Sequence, residues 1–240
     1  MLALKLGQSI GGIANRNSFS NLYSLNFAGV DDYVNLNSAA STFDLSDGTI
    51  SVWAKLDSVS DNTPIFKFYV NANNQVTIIY LHSTNEFKFM MKRGGVNTQV
   101  IVTAGSIEND GEFHHYSLTW SVSGGKFIAY IDGSQVGTTQ TSFGTWSGTP
   151  TVFELGRNGL SGTGYWIGQI DELSTFTTAK TTLEIASIYN SGIPSDLSGE
   201  AGLIGYWRNE EGSGTSIADS STNSNTGTLV NGTSFSRVVP

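Results

Sequence analysis

Apolar and polar residues alternate with a period of two over much of the chain. LYSLNF places Tyr23, Leu25 and Phe27 on one face, and GTISVWAK sets Ile50, Val52 and Ala54 against Trp53. QVTIIYL, EFKFMMK, FHHYSLTW and GKFIAYI continue the pattern, with Phe87, Phe89 and Met91 opposite Lys88. Successive side chains of a strand point to opposite faces, so this alternation predicts antiparallel strands with one face on a core. Turn signals separate the runs: NANN at Asn71 to Asn74, KRGG at Lys92 to Gly95, SGG at Ser123 to Gly125, and Asp132-Gly133. Asp-Gly readily adopts the two positive φ values of a tight hairpin turn, which joins FIAYI to SQVGT. Many short strands with frequent turns predict an all-β, two-sheet antiparallel sandwich of the jelly-roll kind.

One stretch departs from this period. In TTLEIASIYNSG, Leu183, Ala186 and Tyr189 recur at helical spacing, Ile185 and Ile188 widen the apolar side, and Thr181 precedes Glu184 by three as in a capping box. Gly192 supplies a left-handed stop, so one short helix is predicted and no other of comparable length. Residues 1–21 read as an N-terminal arm, with Leu2, Leu4 and Leu6 alternating with Ala3, Lys5 and Gly7. Such an arm is suited to pairing with a neighbouring copy or serving as an extra edge strand. Residues 22–192 form the sandwich. Residues 193–240, rich in Gly, Ser, Thr and Asn, are too few to bury a core alone and are expected to complete the same sandwich.

Composition narrows the function classes. A net charge of -8 with 12 Lys and Arg argues against a phosphate-tracking surface, and nucleic acid is not an expected partner. The absence of cysteine removes disulfides, thiolate metal sites and cysteine nucleophiles. The opening MLALKLGQSIGG lacks the apolar run and cleavage site of a secretory signal, and no segment is long and apolar enough to insert into a membrane as a helix.

SLNFAGVDDYVNL, GTISVWAKL, GEFHHYSLTW with AYIDGSQVG, and GQIDELSTFTTAKTTLEIASIYNSG resemble, in order, the blocks of laminin G-like domains of the concanavalin A-like lectin/glucanase superfamily. The resemblance covers roughly residues 22–192, with Phe113 where the family usually has Trp before the His pair. LIGYWRNEEGSGTSIADSSTNSNTGTL is similar to the segment that usually opens such a domain, yet it comes last here. That order resembles laminin G-like virion components of tailed bacteriophages, and the two termini of such a sandwich can lie close enough to exchange it.

Candidate chemistry centres first on Asp171 and Glu172. Neighbours on a strand diverge unless a bulge intervenes, so paired-acid glycoside hydrolysis, which needs two carboxyls across one cleft, is not expected. The acid run that the glucanase members carry along one strand is missing, and the chain is expected not to be an enzyme. The resemblance implies a structural Ca²⁺ in many members, held here by Asp171 with Asp31 or Asp32 and the carbonyl of Gly29. The alternative is that Asp171 accepts backbone N–H groups at a strand end while Asp31 and Asp32 shape a turn. His114 and His115 diverge as strand neighbours and His82 stands alone, so all three read as structural. The Gly-rich GRNGLSGTG precedes a strand and lacks a helix dipole to hold an anion. Trp146, Tyr165 and Trp166 lie in or beside loops where an exposed ring can stack on a sugar, and the amides of Asn158 and Asn73 suit sugar hydroxyls or turns. Trp53, Trp120 and Trp207 read as packing. The expected function is a non-enzymatic virion structural or adhesion protein of a bacteriophage, in capsid decoration or a tail or fibre, with host-surface glycan as a ligand. Its partners would be other virion proteins or copies of itself through the arm. The alternative is a cellular or secreted carbohydrate-binding lectin domain, placed outside the cell or on its surface.

Overall fold

In a computed structural model, residues 19–43, 45–57, 62–108, 110–158 and 164–240 are described. The alternating runs become strands: β1 Ser24–Ala28, β2 Tyr33–Asn35, β3 Asp47–Leu56, β4 Thr63–Asn71, β5 Asn74–Leu81, β6 Glu86–Arg93, β7 Val96–Thr103, β8 His114–Ser121, β9 Lys126–Ile131, β10 Ser134–Gln140, β11 Val152–Leu155 and β12 Ile167–Phe176. A helix, α1, spans Thr182–Tyr189, and β13 Leu203–Trp207, β14 Ser216–Ile217, β15 Gly227–Val230 and β16 Ser234–Ser236 follow.

These build two antiparallel sheets of 8 strands each. Sheet A runs β10-β9-β8-β3-β12-β1-β16 with β13 also on β12, and sheet B runs β14-β15-β2-β11-β4-β5-β6-β7. Their inner faces interdigitate: Leu25, Val52, Leu118 and Ile170 from sheet A meet Phe66, Ile78, Phe89 and Phe153 from sheet B, all fully buried. The stretch after residue 193 enters both layers, β13 and β16 joining sheet A and β14 and β15 joining sheet B. The expected arm, residues 1–21, lies outside the described residues except for its last three.

The Asp132-Gly133 turn joins β9 to β10 with φ of 49° and 71°, as its sequence predicts. Thr181 and Glu184 form the expected capping box, while the helix face is a correction. Ile185 and Ile188 bury, whereas Leu183 is 84% exposed. The left-handed stop falls on Asn190, at φ 47°, rather than on Gly192.

The outer faces of the two sheets differ. That of sheet A is roofed by α1 and the following loop, where Ile185, Ile188 and Leu197 pack on Tyr130, Phe176 and Tyr206. This roof explains why β12 and much of β3 are buried on both sides. Sheet B has no such helix over it among the described residues.

Candidate functional site

Cross-strand register sets a row of side chains on the outer face of sheet B. Glu154 stands opposite Asn35 on one side and Lys67 on the other, and Thr77, Met90 and Gln99 continue the row across β5, β6 and β7. Their neighbours Val34, Phe153, Phe66, Ile78, Phe89 and Val100 point into the core, so a period of two sends this row outward.

After β11, Arg157 and Asn158 reach over this face. Asn158 N–H donates to the Gly164 carbonyl at 3.1 Å, and Arg157 bridges Tyr165, forming the neck of a loop. From that neck Arg157 donates through Nε and Nη2 to the two Glu154 oxygens at 2.7 and 2.5 Å, a forked pair. Its guanidinium lies 3.4 Å from the centroid of the Tyr33 ring. Lys67 Nζ donates to Asn158 Oδ1 at 2.9 Å and sits 5.3 Å from the Tyr69 ring centroid. The Glu154 carboxylate raises the pKa of Arg157, securing its charge. Burial lowers the pKa of Lys67, Glu154 offsets part of that, and Lys88 adds to the lowering. The result is a preorganised patch of two tyrosine rings, an amide, an ammonium and a locked ion pair. Such a patch can hydrogen-bond hydroxyls and stack on apolar ring faces.

Of the four residues expected to bind carbohydrate, Asn158 and the half-buried Tyr165 belong to this neck. Trp166 does not: it is fully buried, with Nε1–H donating to the Lys55 carbonyl at 3.2 Å. Its backbone N–H already bonds Gly156 O at 2.7 Å, so what reads as loop is the start of the sheet. Trp146 is only partly buried and packs on the core side of β4, 6.4 Å from Phe68, with Nε1–H donating to Gly148 O. Lys67 and Phe68 point to opposite faces, so Trp146 and Asn158 do not share a site. Asn73 closes the β4–β5 turn. Tyr33, Lys67, Tyr69, Glu154 and Arg157 were missed by sequence reasoning. The available signal was parity, since in IFKFYV and VFELGR these polar residues alternate with core ones.

Asp171 and Glu172 lie on the other sheet. Asp171 faces Trp53 and Ser174 faces Ser51, so three steps on β12 match two on β3. Glu172, at φ 49°, is the extra residue of a bulge. Both carboxyls are buried, at 0% and 3% exposure. Asp171 Oδ2 accepts from Asn21 at 2.9 Å, and Oδ1 from Asn209 at 3.2 Å and from the Glu172 N–H at 2.9 Å. Glu172 accepts from the Tyr206 hydroxyl and pairs with Arg208 at 3.6 Å. Burial, with the neighbouring Glu172 charge, raises the pKa of Asp171, and burial raises that of Glu172 to about 7. Neither carboxyl meets a cleft.

The calcium ligands expected together are not assembled. Gly29, at φ 77°, packs on Ile167, which lies four residues from Asp171 along β12, roughly 13 Å at about 3.3 Å per residue. Asp32 is engaged by the Ala28 and Val30 N–H groups at 2.5 and 3.0 Å, and the Asp31 carbonyl accepts from Asn231. Asp171, Asp31, Asp32 and Gly29 therefore do not fit one shared ion. Among the described residues no group of three or more His, Cys, Asp or Glu side chains could hold a metal.

The two histidines diverge. His114 bonds Asp132 at 2.7 Å and Asp110 at 2.9 Å, and these bonds raise its pKa to about 9 against the opposing effect of burial. His115 is buried under Trp53 and Tyr189, bonds Ser51 Oγ at 2.6 Å, and has its pKa pushed down to about 3 by burial. No helix among the described residues is long and apolar enough to cross a membrane.

The laminin G model described as the concanavalin A-like lectin/glucanases superfamily matches residues 28–186. No curated protein matches the sequence. Among solved structures, a candidate carbohydrate-binding protein of Bacteroides ovatus is 19% identical with a TM-score of 0.62, over 92% of this chain and 61% of that one. The chain thus spans under two thirds of that protein's length. The CBM40 of the Ruminococcus gnavus IT-sialidase, solved with α2,3-sialyllactose, is 16% identical with a TM-score of 0.58, over 73% of this chain and 100% of that one. A heptameric pentraxin of Limulus polyphemus is 16% identical with a TM-score of 0.52, over 70% and 82%. At these identities the likeness is one of fold.

Proposed function

Because this chain belongs to the concanavalin A-like lectin/glucanases superfamily, we propose that it is a non-enzymatic glycan-binding module whose ligand lies on the outer face of sheet B. The observation that carries this reading is the ring of Tyr33, Arg157, Glu154, Lys67, Asn158 and Tyr69, fixed by hydrogen bonds and cation–π contacts before any ligand arrives. The carbohydrate-binding descriptions of the Bacteroides and Ruminococcus structures support it. Catalysis by paired acids has no support: Asp171 and Glu172 are enclosed, and on β11 Glu154 is the sole acid and is held by Arg157.

The finer part of the proposal is a place on a bacteriophage virion, as capsid decoration or part of a tail or fibre, adhering to host-surface glycan. Its partners there are other virion proteins or further copies engaged through the N-terminal arm, residues 1–21. The similarity of the C-terminal segment to those of phage laminin G-like proteins supports this part. The alternative setting, a cellular or secreted lectin domain at the cell surface, uses the same face.

A glycan array tests the common core of both. Hits that weaken about tenfold or more on Tyr69→Ala and are kept by Trp146→Ala are expected, since stacking rings carry much of such binding. An array without hits sinks the reading. Mass spectrometry of purified particles then decides the setting, because a virion component is present in many copies per particle.

A further inference from the structure

We propose that the ligand of this face is a glycan carrying carboxylate groups, an inference that rests on the glycan-binding reading and narrows it. The charge distribution is the starting observation. The chain carries a net charge of -8 and 12 basic residues, yet Lys67, Lys88, Lys92 and Arg157 all project from the outer face of sheet B. Among the described residues of these strands, the acids sharing that face are Glu154, neutralised by Arg157, and Glu86 at the start of β6. Lys88 and Lys92 have no carboxylate within ion-pair distance among the described residues, so the face keeps a positive excess on an otherwise acidic protein.

The geometry places these charges around an apolar floor. Lys88 stands opposite Ile79 and Ile101, Lys92 stands opposite Gln75, and Met90 lies between the two lysines and opposite Thr77. Although they point away from the core, Thr77, Ile79 and Met90 are only 4%, 9% and 8% exposed. Long lysine side chains lay their methylene stems along apolar surface while keeping the ammonium in water. Lys67, Lys88 and Lys92 thus form a rim of donors over a shallow floor, with the Tyr69 ring beside Lys67. Burial lowers the pKa of Lys67, Glu154 offsets part of that and Lys88 adds to the lowering, so an arriving anion would favour the charged ammonium.

A sugar ring presents an apolar face and equatorial hydroxyls, which suit the Tyr69 ring and the Asn158 amide. A carboxylate on that ring meets the lysine rim. A neutral glycan leaves the rim unanswered. Nucleic acid also carries anions and stacking rings, but 12 basic residues against 20 acidic ones leave no extended basic track for a phosphate backbone, and an oligothymidylate tests that outcome.

The test uses the full chain with polygalacturonate, fully methyl-esterified polygalacturonate, dextran sulfate and an oligothymidylate, by calorimetry at low and high salt. Expected is binding to polygalacturonate that weakens with salt and is lost on methyl esterification. Lys88→Gln/Lys92→Gln should lower affinity about tenfold, at about threefold per half-exposed charge pair, and Lys88→Arg/Lys92→Arg should restore it. An unchanged melting temperature shows that the glutamine variant folds. Equal binding of the esterified polymer, lost on Tyr69→Ala but untouched by the lysine variants, overturns the carboxylate inference while leaving the glycan reading intact. Preference for dextran sulfate or the oligothymidylate also overturns it. Failure of every glycan, in this assay and on the array, removes both.

Discussion

Glu172→Gln removes one ionisable group from a place where its charge is costly. Burial raises the pKa of Glu172 from the ordinary 4.5 to about 7, with Glu210 adding to the rise while the Tyr206 hydroxyl and Arg208 oppose it. The folded protein therefore keeps a proton that the unfolded chain has already released, and stability falls as pH rises from 4.5 to 7. At about 1.4 kcal/mol per pH unit the gap is worth ~3 kcal/mol, most of which disappears between about pH 5 and pH 8. Glutamine copies the neutral carboxyl and escapes this loss. It also relieves the Glu172 charge that helps raise the pKa of Asp171, an effect of the same sign. Urea unfolding followed by tryptophan fluorescence at several pH values yields the difference between variant and wild type, in which the titrations of His114 and His115 cancel. That difference should grow by roughly 2 to 3 kcal/mol in favour of the variant as pH rises over this range. A companion, Tyr206→Phe, removes a hydrogen bond to the charged form and should steepen the wild-type decline. A difference constant to within ~0.5 kcal/mol would refute the claim that Glu172 titrates inside the fold.

Two further outcomes follow from the same structure. His114, raised to about 9 by Asp132 and Asp110, contributes stability that is complete below its ordinary 6.5 and lost as pH climbs through 9. The pair is partly solvated, so thermal unfolding should show a loss of no more than ~1 kcal/mol over that window, absent in His114→Gln. Millimolar Ca²⁺ or a chelator should leave the melting temperature unchanged, because Asp171 is already served by Asn21, Asn209 and a backbone N–H. A clear rise with Ca²⁺ would mean that Asn21 and Asn209 turn their amide oxygens, both buried and unpartnered, toward that carboxylate.

What was legible in the sequence was local. The strands, the Asp132-Gly133 turn and the Thr181–Glu184 cap each depend on a few adjacent residues whose backbone preferences act alone. The helix face was not, because residues 183, 186 and 189 and residues 185 and 188 recur equally well at helical spacing. Only packing on Tyr130 and Phe176 selects the second set. For the candidate site, Asn158 and Tyr165 were found as polar and aromatic residues near a loop, while Trp166 was misread because its hydrogen bond to Gly156 is invisible in one dimension. The remaining members come from residues 33, 67, 69, 154 and 157, brought together by the pairing of β2, β11 and β4. Parity could identify each as outward-facing, but not which of them would meet.

The two adjacent acids are explained by topology rather than by chemistry. Along one edge of β12, β1 pairs with Ile167 to Ile170 and β13 pairs with Leu173 to Phe176, and Asp171 and Glu172 fall between. These neighbours come from opposite ends of the described chain. At such a seam the ladder breaks and side chains must supply the missing partners. Asn21, before β1, and Asn209, after β13, both bind Asp171, Arg208 bonds the Ser20 carbonyl, and Glu210 accepts from the N–H groups of Leu22 and Tyr23. Burying two carboxylates is unfavourable, and an apolar seam would serve stability better. An apolar seam would also tolerate either segment slipping in register, whereas these directional bonds admit one alignment. Through Asn21 and Asn209, Asp171 thus ties the early and late segments together on sheet A.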